Sequence, residues 1–323
     1  MKSLFKRYPK LCGKIPYLPL GEFPTPILGP LEFQGSRIWI KGDHLASSVH
    51  GGNKVRKLEI ALAMAKERGA QEILLGGAMG SNWCVAGVIF GKALNFFTHC
   101  LLFPQPPSEI RTVNYKFLQT HADKTTHLIH PLLLPPALRW FQSPKTYPLP
   151  LGGTSPETTL GYVNAAWELL DQMEEGIIEK PDEIWLPLGT GGTAAGLLLG
   201  LEMAHRKDIA LHLVRVVDLP LANLWRVRWL AYQARRLLEK LLKQSIPVQP
   251  IPIKIHHSAF GKGYGYPTKE GQKAISFFQN HFSLKLETTY TAKAAAMLLK
   301  SLNHRKNRKI LFWNTYNSQP LPN

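Results

Sequence analysis

Cysteine is scarce in this sequence: three occur among 323 residues, and no two of them form a CxxC pair. That scarcity argues against a disulfide-stabilised scaffold and against a thiolate zinc site, and it is typical of a reducing compartment. We therefore expect a cytoplasmic protein. A disordered or collagen-like chain is also excluded, because 45% of the residues are hydrophobic and 19% are charged.

Acidic residues are also few, since 22 of them accompany 39 lysines and arginines and leave a net charge of +17. The basic residues are dispersed, and their densest groups, at 226–243 and 300–309, show neither a nucleic-acid motif nor alternation with exposed aromatic side chains. We interpret these groups as solvated helix faces and expect no nucleic-acid partner. The histidines His121, His127 and His130 lack a carboxylate or cysteine at ligand spacing, so no metal site is predicted.

Long uninterrupted apolar runs are missing as well. The basic N-terminus is not followed by an apolar stretch of signal-peptide length. Residues 73–91 and 184–201 carry no charge, but glycines interrupt both, together with Ser81 and Asn82 in one and Pro187 in the other. A buried strand, a glycine turn and a buried helix produce such a pattern. We therefore expect no membrane partner.

Strand-like and helix-like segments alternate along most of the chain, which is typical of an α/β fold with parallel sheets and helices on both faces. One segment, 131–150, holds six prolines in twenty residues and predicts no regular element. We favour an interdomain crossing there over a long surface loop. The predicted strands are 37–41, 72–77, 96–103, 127–130, 183–189 and 209–218, and the predicted helices are 54–68, 82–93 and 160–173.

A glycine-rich turn lies between an apolar strand and a helix at Thr190, Gly191, Gly192 and Thr193. Backbone N–H groups at the start of a helix lack helical partners, and the helix dipole favours an anion there. Glycine permits close approach and threonine adds hydroxyl donors, so a phosphate is the expected guest. The turn is neither a Walker loop nor GxGxxG, and packing alone would also explain glycine here.

A second glycine turn, Gly51-Gly52, precedes Asn53 and Lys54. Asn53 is a plausible N-cap, which places Lys54 at the first helical position. Burial and the helix dipole would both lower the pKa of Lys54, as an imine-forming lysine requires. An ordinary surface lysine in a basic helix is the alternative. The phosphate turn, this lysine and a Ser81-Asn82 pair together suggest pyridoxal 5'-phosphate.

Six motifs occur in the same order as in a known enzyme family, and the resemblance covers most of the chain. The sequence resembles the 1-aminocyclopropane-1-carboxylate deaminase / D-cysteine desulfhydrase family, among the fold type II, tryptophan-synthase-β-like pyridoxal-phosphate enzymes. The motifs are GGNKVRKLE (51–59), GSN (80–82), GGTSPETTLGYVNAAWEL (152–169), TGGTAAGL (190–197), GKGYGYP (261–267) and YTAKA (290–294).

The resemblance implies two open, twisted, mostly parallel sheets flanked by helices, with the cofactor between two domains. We expect a large domain of residues 1–56 and 151–323, a small domain of residues 57–150, and a homodimer. The implied activity is β-elimination from a small amino acid, D-cysteine above all, giving a 2-oxo acid, ammonia and sulfide. Ring opening of 1-aminocyclopropane-1-carboxylate, silent cofactor binding and basic nucleic-acid binding are the alternatives.

The resemblance also implies roles for individual residues. Lys54 would hold the cofactor covalently, and Asn82 would bind its ring hydroxyl. The turn 190–193 would hold its phosphate. Ser81, Tyr264 and Tyr290 would face the substrate, although a helix cap at Ser81 and turn packing at Tyr264 remain open.

Thr291 would pair with the ring nitrogen, where deaminases have glutamate. A neutral hydroxyl leaves that nitrogen largely unprotonated, which suits elimination of thiolate better than ring opening. The sequence departs from the family at Trp83, which follows Ser-Asn, at Ala292, and at 314–317, which reads NTYN in place of HTGG. The loss of the two glycines at 316–317 would reshape the substrate pocket that the resemblance implies.

Overall fold

The computed structural model describes residues 1–303, 306–317 and 319–322. Strands and helices alternate through it, as the sequence predicts. The strands are β1 Ile27–Phe33, β2 Ser36–Lys41, β3 Glu72–Ala78, β4 Phe97–Phe103, β5 Lys124–His127, β6 Thr146–Pro148, β7 Glu183–Leu188, β8 Ala210–Arg215, β9 Ile253–His256 and β10 Lys309–Trp313. The helices are α1 Lys2–Arg7, α2 Lys54–Glu67, α3 Asn82–Ala93, α4 Glu109–His121, α5 Leu134–Trp140, α6 Pro156–Glu174, α7 Gly192–Met203, α8 Leu224–Leu242, α9 Lys269–Phe282 and α10 Thr291–Leu302.

The strands form two sheets. A six-stranded sheet has the order β1-β2-β10-β7-β8-β9, and a four-stranded sheet has the order β5-β4-β3-β6. Among the strands that the structure describes, β1 and β2 pair antiparallel and the other pairs are parallel. The central strands β3 and β7 are buried along almost their whole length, because helices cover parallel sheets on both faces. The predicted α/β fold with mostly parallel sheets is confirmed.

The two charge-free stretches are strand–turn–helix units, as predicted. Residues 73–91 run from β3 through a turn into α3, and residues 184–201 run from β7 through a turn into α7. The strand is buried in each unit, and so is most of the helix. Within the described residues, no helix has both the length and the apolar character needed to cross a bilayer.

The division into two domains is supported by the sheets and remains a prediction. The four-stranded sheet uses residues 72–148, and the six-stranded sheet uses residues 27–41 and 183–313. Helix α2 contributes side chains to the hydrophobic cores of both sheets. Leu58 and Leu62 pack in the core of the smaller sheet, whereas Ile60 packs in the core of the larger one. A boundary between residues 56 and 57 therefore falls inside a continuous helix.

Two local predictions are wrong. The proline-rich segment 131–150 contains α5 and β6. Pro135 and Pro136 lie in the first turn of α5, where an N–H would have no helical partner, and Pro148 ends an edge strand. The strand expected at 127–130 lies instead at β5. The residues of β5 are polar and partly exposed, so they lack the apolar pattern that predicts a strand.

A third correction concerns the basic segment 226–243. It forms most of α8, and its inner face is apolar. Trp225, Trp229 and Tyr232 lie on the outer face and are exposed, with Arg228 and Arg236 between and after them. The spacing of four, then three, residues puts these aromatic side chains on one stripe. Exposed aromatic residues therefore do accompany this basic group, contrary to the expectation from sequence.

A buried ionic network fixes the start of α2. Arg56 donates to Asp43 and to Glu168 at 2.8 Å each, and Lys41 donates to Glu168 at 2.6 Å. Burial alone would raise the pKa of Glu168, but the charges of Arg56 and Lys41 lower it to about 2. Because Arg56 lies two residues after Lys54, this network anchors the helical turn that presents Lys54.

Candidate functional site

A cavity of about 450 Å³ opens at the carboxyl ends of both sheets, where the turns after β3 and β7 meet the glycine turn before α2. Parallel sheets commonly place ligand sites at this end. The fold brings nine of the ten predicted site residues to its wall; Thr291 is the exception. The nine are Lys54, Ser81, Asn82, Thr190, Gly191, Gly192, Thr193, Tyr264 and Tyr290.

Lys54 is the first residue of α2, as predicted. Its Nζ lies 3.5 Å from the carbonyl oxygen of Gly152, and burial lowers its pKa to about 8. Asn53 occupies the N-cap position, but its side chain does not cap the helix. The Asn53 amide instead donates to Thr193 Oγ1 at 3.1 Å and thereby ties the lysine turn to the predicted phosphate turn.

Lys57 is a second lysine in the cavity wall, and sequence reasoning missed it. Its Nζ donates to the Gly152 carbonyl oxygen at 3.2 Å. Burial, and secondarily the charge of Lys54, lower the pKa of Lys57 well below the ordinary value. The spacing of three residues from Lys54 was the available signal, since it places both side chains on one helix face.

The turn before α7 has the geometry of an anion cradle. Gly191 has a φ of +92° and precedes the helix, and the first intrahelical bond runs from Ala195 N to Gly191 O. The N–H groups of residues 192–194 therefore have no helical partner. A Cβ on Gly192 would lie 2.9 Å from Thr154 Oγ1 and 3.1 Å from Lys57 Nζ, so glycine lets both side chains lie close against the turn.

Ser81 is the N-cap of α3, and its Oγ accepts the N–H of Cys84 at 3.3 Å. The hydroxyl proton of Ser81 is therefore free to be donated. Asn82 Oδ1 accepts from Asn114 Nδ2 at 2.8 Å, which leaves Asn82 Nδ2 as a donor at the cavity wall. The serine is thus both a helix cap and a cavity residue.

Tyr264 and Tyr290 form a hydroxyl pair 2.9 Å apart, with their rings edge to face. Burial raises the pKa of Tyr264 to about 12, and burial together with Tyr264 raises that of Tyr290. Both hydroxyls stay protonated at neutral pH. One of them donates to the other, so one proton remains for a ligand. Lys293 supports the loop that carries Tyr264 by donating to Gly263 O at 3.0 Å.

Thr291 is buried behind the wall. Its Oγ1 accepts the N–H of Glu287 at 2.9 Å, and its own N–H donates to the Glu287 carboxylate at 2.8 Å. Glu287 does border the cavity, and sequence reasoning missed it. Its carboxylate accepts the N–H groups of Thr289 and Tyr290 as well, so it caps the start of α10.

Three of the positions that depart from the family resemblance, Trp83, Tyr316 and Asn317, also lie at the cavity. Trp83 is buried, borders the cavity, and its Nε1 has no hydrogen-bond partner among the described residues. Thr315, Tyr316 and Asn317 also form part of the cavity wall. Ala292 is buried at the start of α10.

These groups fit pyridoxal 5'-phosphate. The cradle at 191–194 and the Lys57 amine suit its phosphate, and Lys54 supplies a buried amine for its aldehyde. Asn82 supplies a donor for the ring hydroxyl. Within the described part of the chain, no three His, Cys, Asp or Glu side chains are grouped to bind a metal ion.

Known proteins resemble the chain over nearly its full length. D-cysteine desulfhydrase of Salmonella typhi is 29% identical over 313 residues, which cover 91% of this chain and 90% of that protein. The crystal structure of an ACC deaminase homologue superposes with a TM-score of 0.78 and 27% identity, covering 96% of this chain and 94% of the other.

A threonine deaminase from Solanum lycopersicum shares the fold alone, with a TM-score of 0.64 and 14% identity over 98% of this chain and 90% of that one. The family model described as pyridoxal-phosphate dependent enzyme matches residues 18–315. The expected cofactor is confirmed, and the chain belongs to the family of pyridoxal-phosphate dependent enzymes.

Proposed function

We propose that this chain is a lyase that removes thiolate from a small amino acid, D-cysteine above all, and releases a 2-oxo acid, ammonia and sulfide. One observation carries the proposal. A buried lysine with a pKa of about 8, an anion cradle and a pair of protonated tyrosines surround one cavity. The similarity to D-cysteine desulfhydrase supports the choice of leaving group.

Lys54 would hold the cofactor covalently and then move the proton at Cα. An amine with a pKa of about 8 accepts and releases protons readily near neutral pH. The bound cofactor supplies the electron sink for the carbanion. The cradle at 191–194 and Lys57 Nζ would bind its phosphate, and Asn82 Nδ2 its ring hydroxyl.

Two of the donors at the cavity suit the α-carboxylate and the leaving group of the substrate. The Ser81 hydroxyl lies at the start of α3, where the unpaired N–H groups and the helix dipole favour the α-carboxylate. The free proton of the Tyr264–Tyr290 pair would bind the leaving sulfur as the Cβ–S bond breaks and its electron pair moves to sulfur. The resulting enamine hydrolyses to the 2-oxo acid and ammonia.

Ring opening of 1-aminocyclopropane-1-carboxylate is a second candidate, favoured by the likeness to the ACC deaminase homologue. One panel separates the candidates: release of 2-oxo acid, ammonia and sulfide from D- and L-cysteine, β-chloro-alanine and 1-aminocyclopropane-1-carboxylate. We expect turnover of the β-substituted alanines. If none of these compounds is turned over while the cofactor is bound, the protein binds the cofactor without catalysing the reaction.

A cytoplasmic location and a homodimer complete the proposal. Cys12, Cys84 and Cys100 are all unpaired, and two of them are buried, which suits a reducing compartment. Light scattering on the purified holoenzyme measures the subunit count, and a monomeric mass would refute the dimer.

A further inference from the structure

The side-chain amide of Asn317 has a fixed orientation. Its Oδ1 accepts the backbone N–H groups of Gly51 at 2.9 Å and Gln319 at 3.2 Å. Its Nδ2 donates to the carbonyl oxygen of Gln319 at 3.1 Å. The two backbone N–H groups require the amide oxygen on their side, and the carbonyl oxygen requires the amide nitrogen on its side. The oxygen and nitrogen of the Asn317 amide therefore cannot be interchanged.

This orientation determines the tautomer of His50. Asn317 Nδ2 lies 3.0 Å from His50 Nδ1, and because the amide nitrogen is a donor, Nδ1 must accept. The proton of the neutral ring is therefore on Nε2. Burial lowers the pKa of His50 to about 4, so the ring stays neutral at physiological pH.

His50 Nε2 is left as a donor at the cavity. His50 borders the cavity and is 4% exposed, and Nε2 makes no hydrogen bond with the described residues. Although Nε2 has no partner among those residues, it is not fully buried, so it is accessible to a ligand in the cavity. The ring precedes Gly51 and Gly52, so it is held close to the turn that carries Lys54.

We propose that His50 determines substrate specificity by donating its Nε2–H to an uncharged acceptor on the side chain of the amino-acid substrate. The acceptor would be a thiol sulfur, a hydroxyl or an amide oxygen. The start of α3 suits the anionic α-carboxylate better, because it offers a helix dipole and the Ser81 hydroxyl, whereas His50 offers one neutral donor. The proposal rests on the proposed function.

Equilibrium binding to the holoenzyme tests the role of His50. The probes are serine and 2-aminobutyrate, which match in size but differ in the acceptor, each as both enantiomers. Their dissociation constants come from the change in cofactor absorbance. We expect His50→Phe to weaken serine binding about three- to tenfold and to leave 2-aminobutyrate unchanged, because one neutral hydrogen bond is lost. The exposed His281→Phe is the matched control.

An equal loss for both probes, or no loss for serine, would overturn the role of His50 while leaving the proposed function standing. If no amino acid changes the absorbance, the proposed function fails and this inference with it. Nitrogen-15 NMR of the imidazoles supplies a readout without substrate. We expect an Nε2–H tautomer in the native protein and an Nδ1–H in Asn317→Asp, whose carboxylate accepts. A native Nδ1–H would refute the proposal.

Discussion

Lys54 and Lys57 direct their Nζ atoms at one carbonyl oxygen, that of Gly152, from 3.5 and 3.2 Å. Two buried amines this close disfavour simultaneous protonation, and burial alone already lowers the pKa of Lys54 to about 8. A bound phosphate would restore the charge on Lys57, which lies against the cradle, and leave Lys54 neutral as the nucleophile.

The first prediction separates these two lysines. Borohydride reduction of the holoenzyme, followed by peptide mapping, should label Lys54 alone, and Lys54→Ala should lose the covalent label. Lys57→Met should keep the label on Lys54 but bind the cofactor more weakly by about 1.5–3 kcal/mol, the range for a hydrogen bond to a charged group. A label on Lys57 in the native protein would contradict the assignment.

The second prediction concerns the pH at which the apoprotein captures the cofactor. The neutral amine is the reacting form, and a lowered pKa makes it abundant at lower pH. The rate of covalent capture should therefore rise with a midpoint near 8, the pKa of Lys54. An ordinary lysine would give a midpoint of about 10.4. Stopped-flow absorbance between pH 6.5 and 10.5 measures it, and a midpoint above 10 would rule out the buried amine.

The third prediction tests the cradle. Gly192→Ala places a Cβ 2.9 Å from Thr154 Oγ1 and 3.1 Å from Lys57 Nζ, so both side chains must move. We expect at least a tenfold loss of affinity for pyridoxal phosphate, and a larger one in Gly192→Val. Gly176→Ala is the control, because Gly176 has a φ of +73° in open space away from the cavity.

The control variant should lose about 1–2 kcal/mol of stability through backbone strain and keep its affinity. Cofactor titration and thermal melting report the two effects separately. Unchanged affinity in folded Gly192→Ala would mean that this glycine serves packing only.

Local patterns made the central part of the site predictable. A glycine turn directly precedes a helix at both places, and the positions of Lys54 and of the cradle at 191–194 depend only on such short-range order. The parallel sheets followed from the same alternation. These predictions required no knowledge of which distant segments meet.

Long-range pairing made the rest unpredictable. His50 and Asn317 are 267 positions apart, and the parallel pairing of β2 with β10 brings the segments that follow these strands together. Thr291 was expected to pair with the ring nitrogen, but it lies off the cavity wall, bonded to Glu287, because of how the turn before α10 folds back. The pattern of residue types alone contains no signal for such contacts.

The fourth prediction concerns stability. Arg56→Met should lower the free energy of unfolding by about 3–5 kcal/mol, because it leaves the buried Asp43 without its ion-pair partner and Glu168 with Lys41 alone. Lys180→Ala removes an ion pair whose partners are 46% and 40% exposed, and should cost about 0–1 kcal/mol. Urea unfolding of both variants measures the difference, and equal losses would show that the network contributes little.

The last prediction concerns the reaction. We expect D-cysteine or β-chloro-D-alanine to be turned over and 1-aminocyclopropane-1-carboxylate not to be. Position 291 holds a threonine whose hydroxyl accepts the Glu287 N–H behind the cavity wall, so no carboxylate at this position keeps a ring nitrogen protonated as a glutamate there would. Release of ammonia and 2-oxo acid, measured side by side on the three compounds, provides the test. Thr291→Ser retains the hydroxyl and should retain the same preference. Ring opening at a rate comparable to elimination would refute the argument from Thr291, whatever the affinity of the enzyme for its cofactor.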